Sequence, residues 1–207
     1  MIGIIGGTGL YRMAELQVTE VREVSTPFGP PSSPIMLGVL KERRVAFLAR
    51  HGLHHDLLPS EINFRGNIWA LKSVGVRTVV GVSAVGSLRQ EIRPGELALP
   101  SQYLDFTKGL RAASFFGRGL VAHISTAQPV CRATAALIAR SARSLGMPVH
   151  EDRTYACVER EKVVAPITNA IANRPAFSWI QRENPFRIAA CWGRVLPAMK
   201  PATHAIE

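Results

Sequence analysis

The sequence predicts an α/β fold, because short apolar runs rich in β-branched residues alternate with segments of helical periodicity. The strand-like runs cover residues 2–5, 18–24, 34–40, 44–48, 76–82, 97–100 and 154–158. The helix-like segments cover residues 62–74 and 133–145. A chain of 207 residues is long enough for one such domain with a sizeable core.

The boundaries of the first elements are marked by turn residues. The strand over residues 2–5 ends at the glycine turn 6–9, and the strands 18–24 and 34–40 are joined by the Pro/Gly-rich segment 27–31. These signals predict the beginning of a sheet.

The middle of the chain predicts a helix between two core strands. The strand over residues 44–48 leads into an Arg/His-rich loop, and Pro59-Ser60-Glu61 supplies start signals for the helix 62–74. Gly75 supplies its stop, and the strand 76–82 follows.

The later elements are a short strand at 97–100, a helix at 133–145 capped by Gly146 and a strand at 154–158. After residue 159 the chain is basic and weakly periodic, with a helical pattern at 163–172. The polar side of the helix at 133–145 carries Arg132, Arg140 and Arg143. The tail is interrupted at Pro166, Trp192-Gly193, Pro197 and Pro201.

Composition excludes several classes of protein. Hydrophobic residues make up 47% and charged residues 19%, which is typical of a globular chain. No apolar run approaches the roughly 20 residues of a membrane span, and the apolar start lacks the basic region of a signal peptide. Three scattered cysteines indicate a reducing, cytoplasmic compartment.

The net charge of +10 has two interpretations. It could bind nucleic acid, or it could surround a site for anionic substrates. We favour the second, because the Lys and Arg residues are scattered and do not alternate with aromatic residues. We therefore expect no nucleic-acid partner.

The loop after residues 44–48 has the chemistry of an oxyanion site. Arg50 and His51 are followed closely by His54 and His55, and a guanidinium beside imidazoles suits a phosphate-like ion. A structural arginine in a surface loop is the alternative, and at least one of His54 and His55 is expected to be a plain surface residue. The His51–His55 spacing does not indicate a metal site, because no Glu follows His51 and Gly52 weakens a helix.

Three other motifs are weaker by themselves. The glycine turn with Thr8 could approach an anion, and Ser83-Ala84 ends a buried strand, where ligands often bind in α/β sheets. A simple turn is an interpretation at least as good for the glycine segment, and taken alone a small-residue turn is favoured for Ser83-Ala84. The segments 115–117 and 122–124 could line an apolar pocket, although ordinary core packing is favoured.

Taken together, these segments resemble the trimeric purine nucleoside phosphorylase family, and most of all its 5′-methylthioadenosine and methylthioinosine branch. The resemblance extends from residue 2 to about residue 159 and is carried in family order by IGIIGGTGL, TPFGPPS, LARHGLHHDLLPSEINFRGNIWALKSVGV, SAVGSLRQEIRPGELALPSQYLDFT, SFFG and VAHIS. It implies a single domain with a mixed twisted sheet flanked by helices. It also implies a pentosyltransferase that cleaves purine nucleosides with phosphate, without a metal or organic cofactor.

The resemblance also implies roles for individual residues. Phosphate, the co-substrate, would be held by Thr8, Arg50, His51, Ser83 and Ala84. On the nucleoside side, His55 would lie near the sugar, and His123 would close the pocket of the sugar's 5′ substituent from a neighbouring subunit. A homotrimer is therefore expected.

The tail departs from the family pattern. In the family, the strand matching 154–158 continues into a Glu-Gly-Pro-x-Phe segment, whereas here Glu159 is followed by Arg160 and a partial echo lies at 174–177. Phe177 is the expected counterpart of the aromatic residue that stacks on the purine.

The purine-binding half of the site has no clear counterpart in this sequence. The family's Asp-bearing strand, which helps protonate the leaving base, and its terminal helix are not matched before residue 207. We therefore expect a phosphorylase-like domain over residues 1–159 and a diverged, truncated remainder over 160–207, with impaired catalysis. Two alternatives stay open: a tail that supplies substitute residues, and a non-catalytic phosphate- or nucleoside-binding protein.

Overall fold

The computed structural model describes residues 1–7, 10, 13, 15–107, 112, 114–117 and 119–158, together with the backbone of 188–194. Eight strands form one mixed sheet in the order β2-β3-β4-β1-β5-β8-β6-β7. The strands are β1 Ile2–Gly6, β2 Leu16–Arg22, β3 Ile35–Leu40, β4 Arg43–Ala49, β5 Thr78–Ala84, β6 Leu97–Asp105, β7 Val149–Cys157 and β8 Ile188–Arg194. The helices are α1 Phe64–Ser73 and α2 Arg132–Ser144. The predicted α/β class with a mixed sheet and flanking helices is confirmed.

The centre of the sheet is parallel. β1 pairs in parallel with β4 on one side and with β5 on the other. Val45, Ala46, Phe47, Leu48 and Ala49 of β4 are all at most 3% exposed, as expected of a strand that is covered on both faces. The apolar run that predicted β4 is therefore explained by its burial.

Each helix covers a different half of the sheet. Ala70 and Leu71 of α1 pack with Leu48, Val76 and Val79. A second cluster joins α2 to β6 through Leu97, Leu99, Val130, Ala139 and Ala142. None of the helices in the described residues is long and apolar enough to cross a membrane.

Helix α1 begins later than the sequence predicted. Its N-cap is Asn63, whose side-chain oxygen accepts a hydrogen bond from the Gly66 N–H. The predicted start signal closes a separate turn instead, because the Glu61 carboxylate accepts from the Leu58 N–H at 2.8 Å. The predicted stop is confirmed, since Gly75 follows the helix with φ of +90°.

Strands β6 and β7 are longer than the predicted runs at 97–100 and 154–158 and pair with each other in parallel. The register of this pair shifts on both sides of Pro100, which has no N–H to donate. Beyond Pro100 the strand continues through Ser101 and Gln102, so the continuous apolar run ends while the strand does not.

Strand β8 does not follow from the sequence pattern, in which Trp192 and Gly193 indicate breaks. The interpretation is wrong for this segment, because Ile188–Arg194 pairs antiparallel with the whole of β5. It also pairs in parallel with Leu97 and Ala98, so it joins β5 to β6. The predicted helix at 163–172 lies outside the described residues, and the boundary at residue 159 stays a prediction.

Candidate functional site

The candidate site lies at the edge of the sheet where three neighbouring parallel strands end. Gly6 at the end of β1 is in register with Ala49 at the end of β4, and Ile5 is in register with Gly81 of β5. The chain order changes direction at β1, with β4 on one side and β5 on the other. Ligands of open α/β sheets bind at the carboxyl edge beside such a switch point.

Arg50 connects all three strands at this edge. Its backbone N–H donates to the carbonyl of Gly6 at 3.0 Å, and its guanidinium Nη1 donates to the hydroxyl oxygen of Ser83. The side chain therefore reaches from the end of β4 across β1 to the end of β5. A permanently charged, half-buried guanidinium is fixed at the edge by these contacts.

His51 is held by a reciprocal pair of hydrogen bonds. Its Nδ1 lies 2.9 Å from the carbonyl oxygen of Leu57, and the Leu57 N–H donates to the His51 carbonyl at 3.1 Å. Burial lowers the pKa of His51, and the charges of Arg50 and His55 add to that decrease against the opposing effect of the Leu57 carbonyl. His51 is therefore a neutral imidazole at pH 7.

The loop between His51 and Leu57 is tight. Gly52 is buried with φ of +80°, and a Cβ at this position would collide with the carboxylate of Asp56. His55 also adopts a left-handed conformation, with φ of +59°, and its ring lies 4.7 Å from the His51 ring centre. His54 and His55 are both exposed, but the ring contact places only His55 against the site.

A polar network beneath the loop was not anticipated from the sequence. Asn67 of α1 is only 2% exposed; its side chain accepts from the Ser32 N–H at 2.7 Å and donates to the Ser32 hydroxyl at 2.9 Å. The neighbouring Ser33 hydroxyl oxygen accepts from the Ala49 N–H at 3.0 Å. Helix α1 thereby supports the backbone that presents Arg50. The available signal is the pair of amides, Asn63 and Asn67, spaced four residues apart in the predicted helix.

We expect Asn67→Leu to destabilise the protein by about 1–3 kcal/mol, because the half-buried Ser32 N–H and hydroxyl lose their partner, the buried Asn67 amide. The affinity of the predicted oxyanion site for inorganic phosphate should fall as well, since the end of β4 is no longer supported. Urea unfolding and isothermal titration would measure the two effects. Ser73→Ala, an exposed change on the same helix, is the control; equal losses in both variants would contradict a positioning role for Asn67.

An aromatic cluster joins the segment before His123 to α1. The Phe28 ring makes edge contacts with Trp69 at 5.8 Å and with Phe115 at 5.4 Å. The Arg65 guanidinium lies 4.9 Å over the Phe28 ring and donates to the Ser114 carbonyl at 3.4 Å. Phe115 therefore packs against Phe28.

The structure brings part of the predicted site together. Arg50, His51, His55, Ser83 and Ala84 all lie at the carboxyl edge of the central strands. His123 is exposed, and within the described residues no hydrogen bond or ring contact joins it to this group. Thr8 and Phe177 lie outside the described residues. Across the part of the chain that can be described, no three His, Cys, Asp or Glu side chains are grouped to hold a metal ion.

Two curated relatives show what the chain is similar to. An S-methyl-5′-thioadenosine phosphorylase of Geobacter sulfurreducens is 48% identical over 77% of this chain and 56% of its own length. A protein of the same name from Thermosynechococcus vestitus is 42% identical over 96% of this chain and 63% of its own length. The chain therefore spans less than two thirds of the length of either relative.

Solved structures agree with these relatives. A methylthioadenosine phosphorylase from an antarctic soil metagenomic library superposes with a TM-score of 0.74 and 38% identity, over 82% of this chain and 61% of that one. The methylthioadenosine phosphorylase of Schistosoma mansoni in complex with adenine gives a TM-score of 0.73 and 30% identity, over 82% of this chain and 70% of that one.

The match to a family model spans most of the described sheet and the whole of the Arg50 site. The model, described as the phosphorylase superfamily, matches residues 1–160, and this chain belongs to that family.

Proposed function

We propose that the protein is a purine nucleoside phosphorylase that acts on 5′-methylthioadenosine or a related nucleoside. The products would be the free purine and the (methylthio)ribose 1-phosphate, as in purine and methylthioadenosine salvage. The reaction is a pentosyl transfer with inorganic phosphate as co-substrate and no other cofactor. The observation that carries the proposal is the Arg50 guanidinium, fixed across β1 on the Ser83 hydroxyl. The names of the relatives support the choice of nucleoside.

The chemistry fits a site built around one fixed cation. A phosphate oxygen forms the new bond to C1′ while the C1′–N9 bond breaks and its electron pair leaves with the purine. Positive charge develops on the sugar, so an oriented anion beneath C1′ stabilises the transition state. Arg50 would hold that anion in line with the sugar.

The proposed phosphate ligands are Thr8, Arg50, His51, Ser83 and Ala84. The proposed contacts to the nucleoside are His55, His123 and Phe177. Among these, the contact of the His55 ring with His51 supports its place beside the phosphate.

A homotrimer would complete the site. His123 lies in a segment whose apolar side chains are strongly exposed, with Leu120 at 60%, Val121 at 77% and Ile124 at 63%. Such a segment is suited to contact another subunit. We propose that a neighbouring copy supplies His123 to the site, and that the assembly acts in the cytoplasm.

The test is phosphate-dependent release of base from 5′-methylthioadenosine, methylthioinosine, adenosine and inosine. Chromatography measures the released base. We expect release that requires phosphate and that falls at least about 100-fold in Arg50→Met, because the anion loses its charged donor. Arg44→Met, an exposed arginine on β4, should keep the activity. If no nucleoside is cleaved at high protein concentration while phosphate still raises the melting temperature, the chain is a phosphate-binding protein and not an enzyme.

A further inference from the structure

The ring of His51 is fixed in one tautomer. A carbonyl oxygen can only accept a hydrogen bond, so the Nδ1 atom, 2.9 Å from the Leu57 oxygen, must carry the proton. In the neutral ring the other nitrogen, Nε2, then has a lone pair and no hydrogen. Within the described residues Nε2 has no protein partner. The atom that His51 offers to a ligand is therefore an acceptor.

The other side chains of the proposed phosphate site, Arg50 and Ser83, offer donors. Arg50 has only N–H groups. The Ser83 oxygen already accepts from Arg50, which leaves its own O–H to donate. An anion in this site thus meets donors from Arg50 and Ser83 and an acceptor from His51. Such a set matches an oxyanion that itself carries one hydrogen.

We propose that His51 makes the site selective for a protonated oxyanion, hydrogen phosphate, over a fully deprotonated one of the same shape, sulfate. The inference rests on the proposed phosphate site and specifies which protonation state of an oxyanion that site binds. The P–OH group donates to Nε2, while the remaining oxygens accept from Arg50 and Ser83. Sulfate at neutral pH has no hydrogen to donate, and one of its oxygens would face the Nε2 lone pair.

The charged surroundings favour the neutral ring. Arg50 and His55 are the groups whose charges act on His51, and both disfavour a second proton. Asp56 lies in the same tight loop, with its carboxylate beside the α-carbon of Gly52. With the pKa of His51 lowered, the acceptor form persists below the ordinary imidazole value of 6.5 and is lost only as the pH falls further.

The first test is calorimetric titration of the full chain with inorganic phosphate, arsenate and sulfate at pH 7.5 and constant ionic strength. We expect phosphate and arsenate to bind comparably, because both carry an acidic O–H. Sulfate should bind at least about tenfold more weakly, since a ligand hydrogen bond is lost beside a half-buried acceptor. Lowering the pH until His51 is protonated should reduce the difference in affinity between phosphate and sulfate, because Nε2 then becomes a donor.

The matched variants are His51→Gln and His54→Gln. A glutamine amide can present either its oxygen or its NH₂ group, so His51→Gln should bring the two affinities to within about threefold. His54 is exposed, and among the described residues no hydrogen bond or ring contact joins it to the site, so His54→Gln should keep the preference for phosphate. Nitrogen-15 shifts of the His51 ring should report a proton on Nδ1, without any ligand.

The outcomes separate the two proposals. If neither phosphate nor sulfate binds, the phosphate site of the proposed function is wrong, and the selectivity falls with it. Equal binding of phosphate and sulfate by the natural chain overturns the selectivity alone. The same holds if His51→Gln keeps the preference, or if the ring proton is found on Nε2.

Discussion

Replacing Arg50 by methionine should weaken the binding of inorganic phosphate by about 100-fold to 1,000-fold, the largest functional effect expected of a single change. Charge-assisted hydrogen bonds contribute about 1.5–3 kcal/mol each, and a guanidinium can make two to one phosphate. Arg50 is held in place before the ligand arrives, by the Gly6 carbonyl at its backbone and by Ser83 at its tip. Calorimetric titration with phosphate at fixed ionic strength measures the loss.

Two further variants test why Arg50→Met loses affinity for phosphate. Arg44→Met removes the same charge from an exposed position on β4 and should change the affinity by less than about twofold, because surface charges are screened by solvent. Arg50→Lys keeps the charge but not the planar fork, so its affinity should lie between those of the natural chain and Arg50→Met. Unchanged phosphate binding by Arg50→Met would show that Arg50 is not the main phosphate ligand.

Replacing Leu71 by alanine should lower the free energy of unfolding by about 2–5 kcal/mol, the largest expected effect on stability. Leu71 is 0% exposed and lies in the cluster that joins α1 to the central strands through Leu48, Val76 and Val79. The change removes buried apolar surface and leaves a cavity between α1 and the central strands. Urea unfolding followed by circular dichroism measures the difference.

Leu137→Ala is the control for this second prediction. Leu137 is also a leucine in a helix, but it is 53% exposed on α2. Its removal should change the stability by no more than about 0.5 kcal/mol. If the two variants lost equal stability, the cluster at Leu71 would not be the main support of the central strands.

The strands of the central sheet could be predicted because each contains apolar residues close together in the sequence. β4 contains a continuous apolar run because its residues 45–49 are buried on both faces of the sheet, and β1 and β5 are apolar-rich strands that are mostly half-buried. β8 and the second half of β6 could not be predicted. Their pairing partners are distant in sequence, and the hydrogen bonds come from backbone groups that carry no side-chain signal.

The hydrogen bonds that support the site from α1 could not be predicted from local sequence either. Ser32 and Asn67 are 35 residues apart, so no local pattern links them. Packing α1 on the sheet brings the amide under the Ser32–Ser33 backbone, and this contact fixes the end of β4. The start of α1 was misplaced for a local reason: Glu61 and Asn63 are both good start signals, and the turn at Leu58 takes Glu61.

The sequence by itself determined which chemistry is present: an arginine and histidines directly after a core strand, hydroxyls at the end of another, and a family resemblance that the comparisons confirm. Only the tertiary structure decided how these groups act. Arg50 meets Ser83 because β1 lies between β4 and β5, and this strand order is set by non-local pairing. Burial lowers the pKa of His51 and so favours the neutral ring, while the Leu57 carbonyl fixes the ring proton on Nδ1. Neither effect is visible in the residue itself.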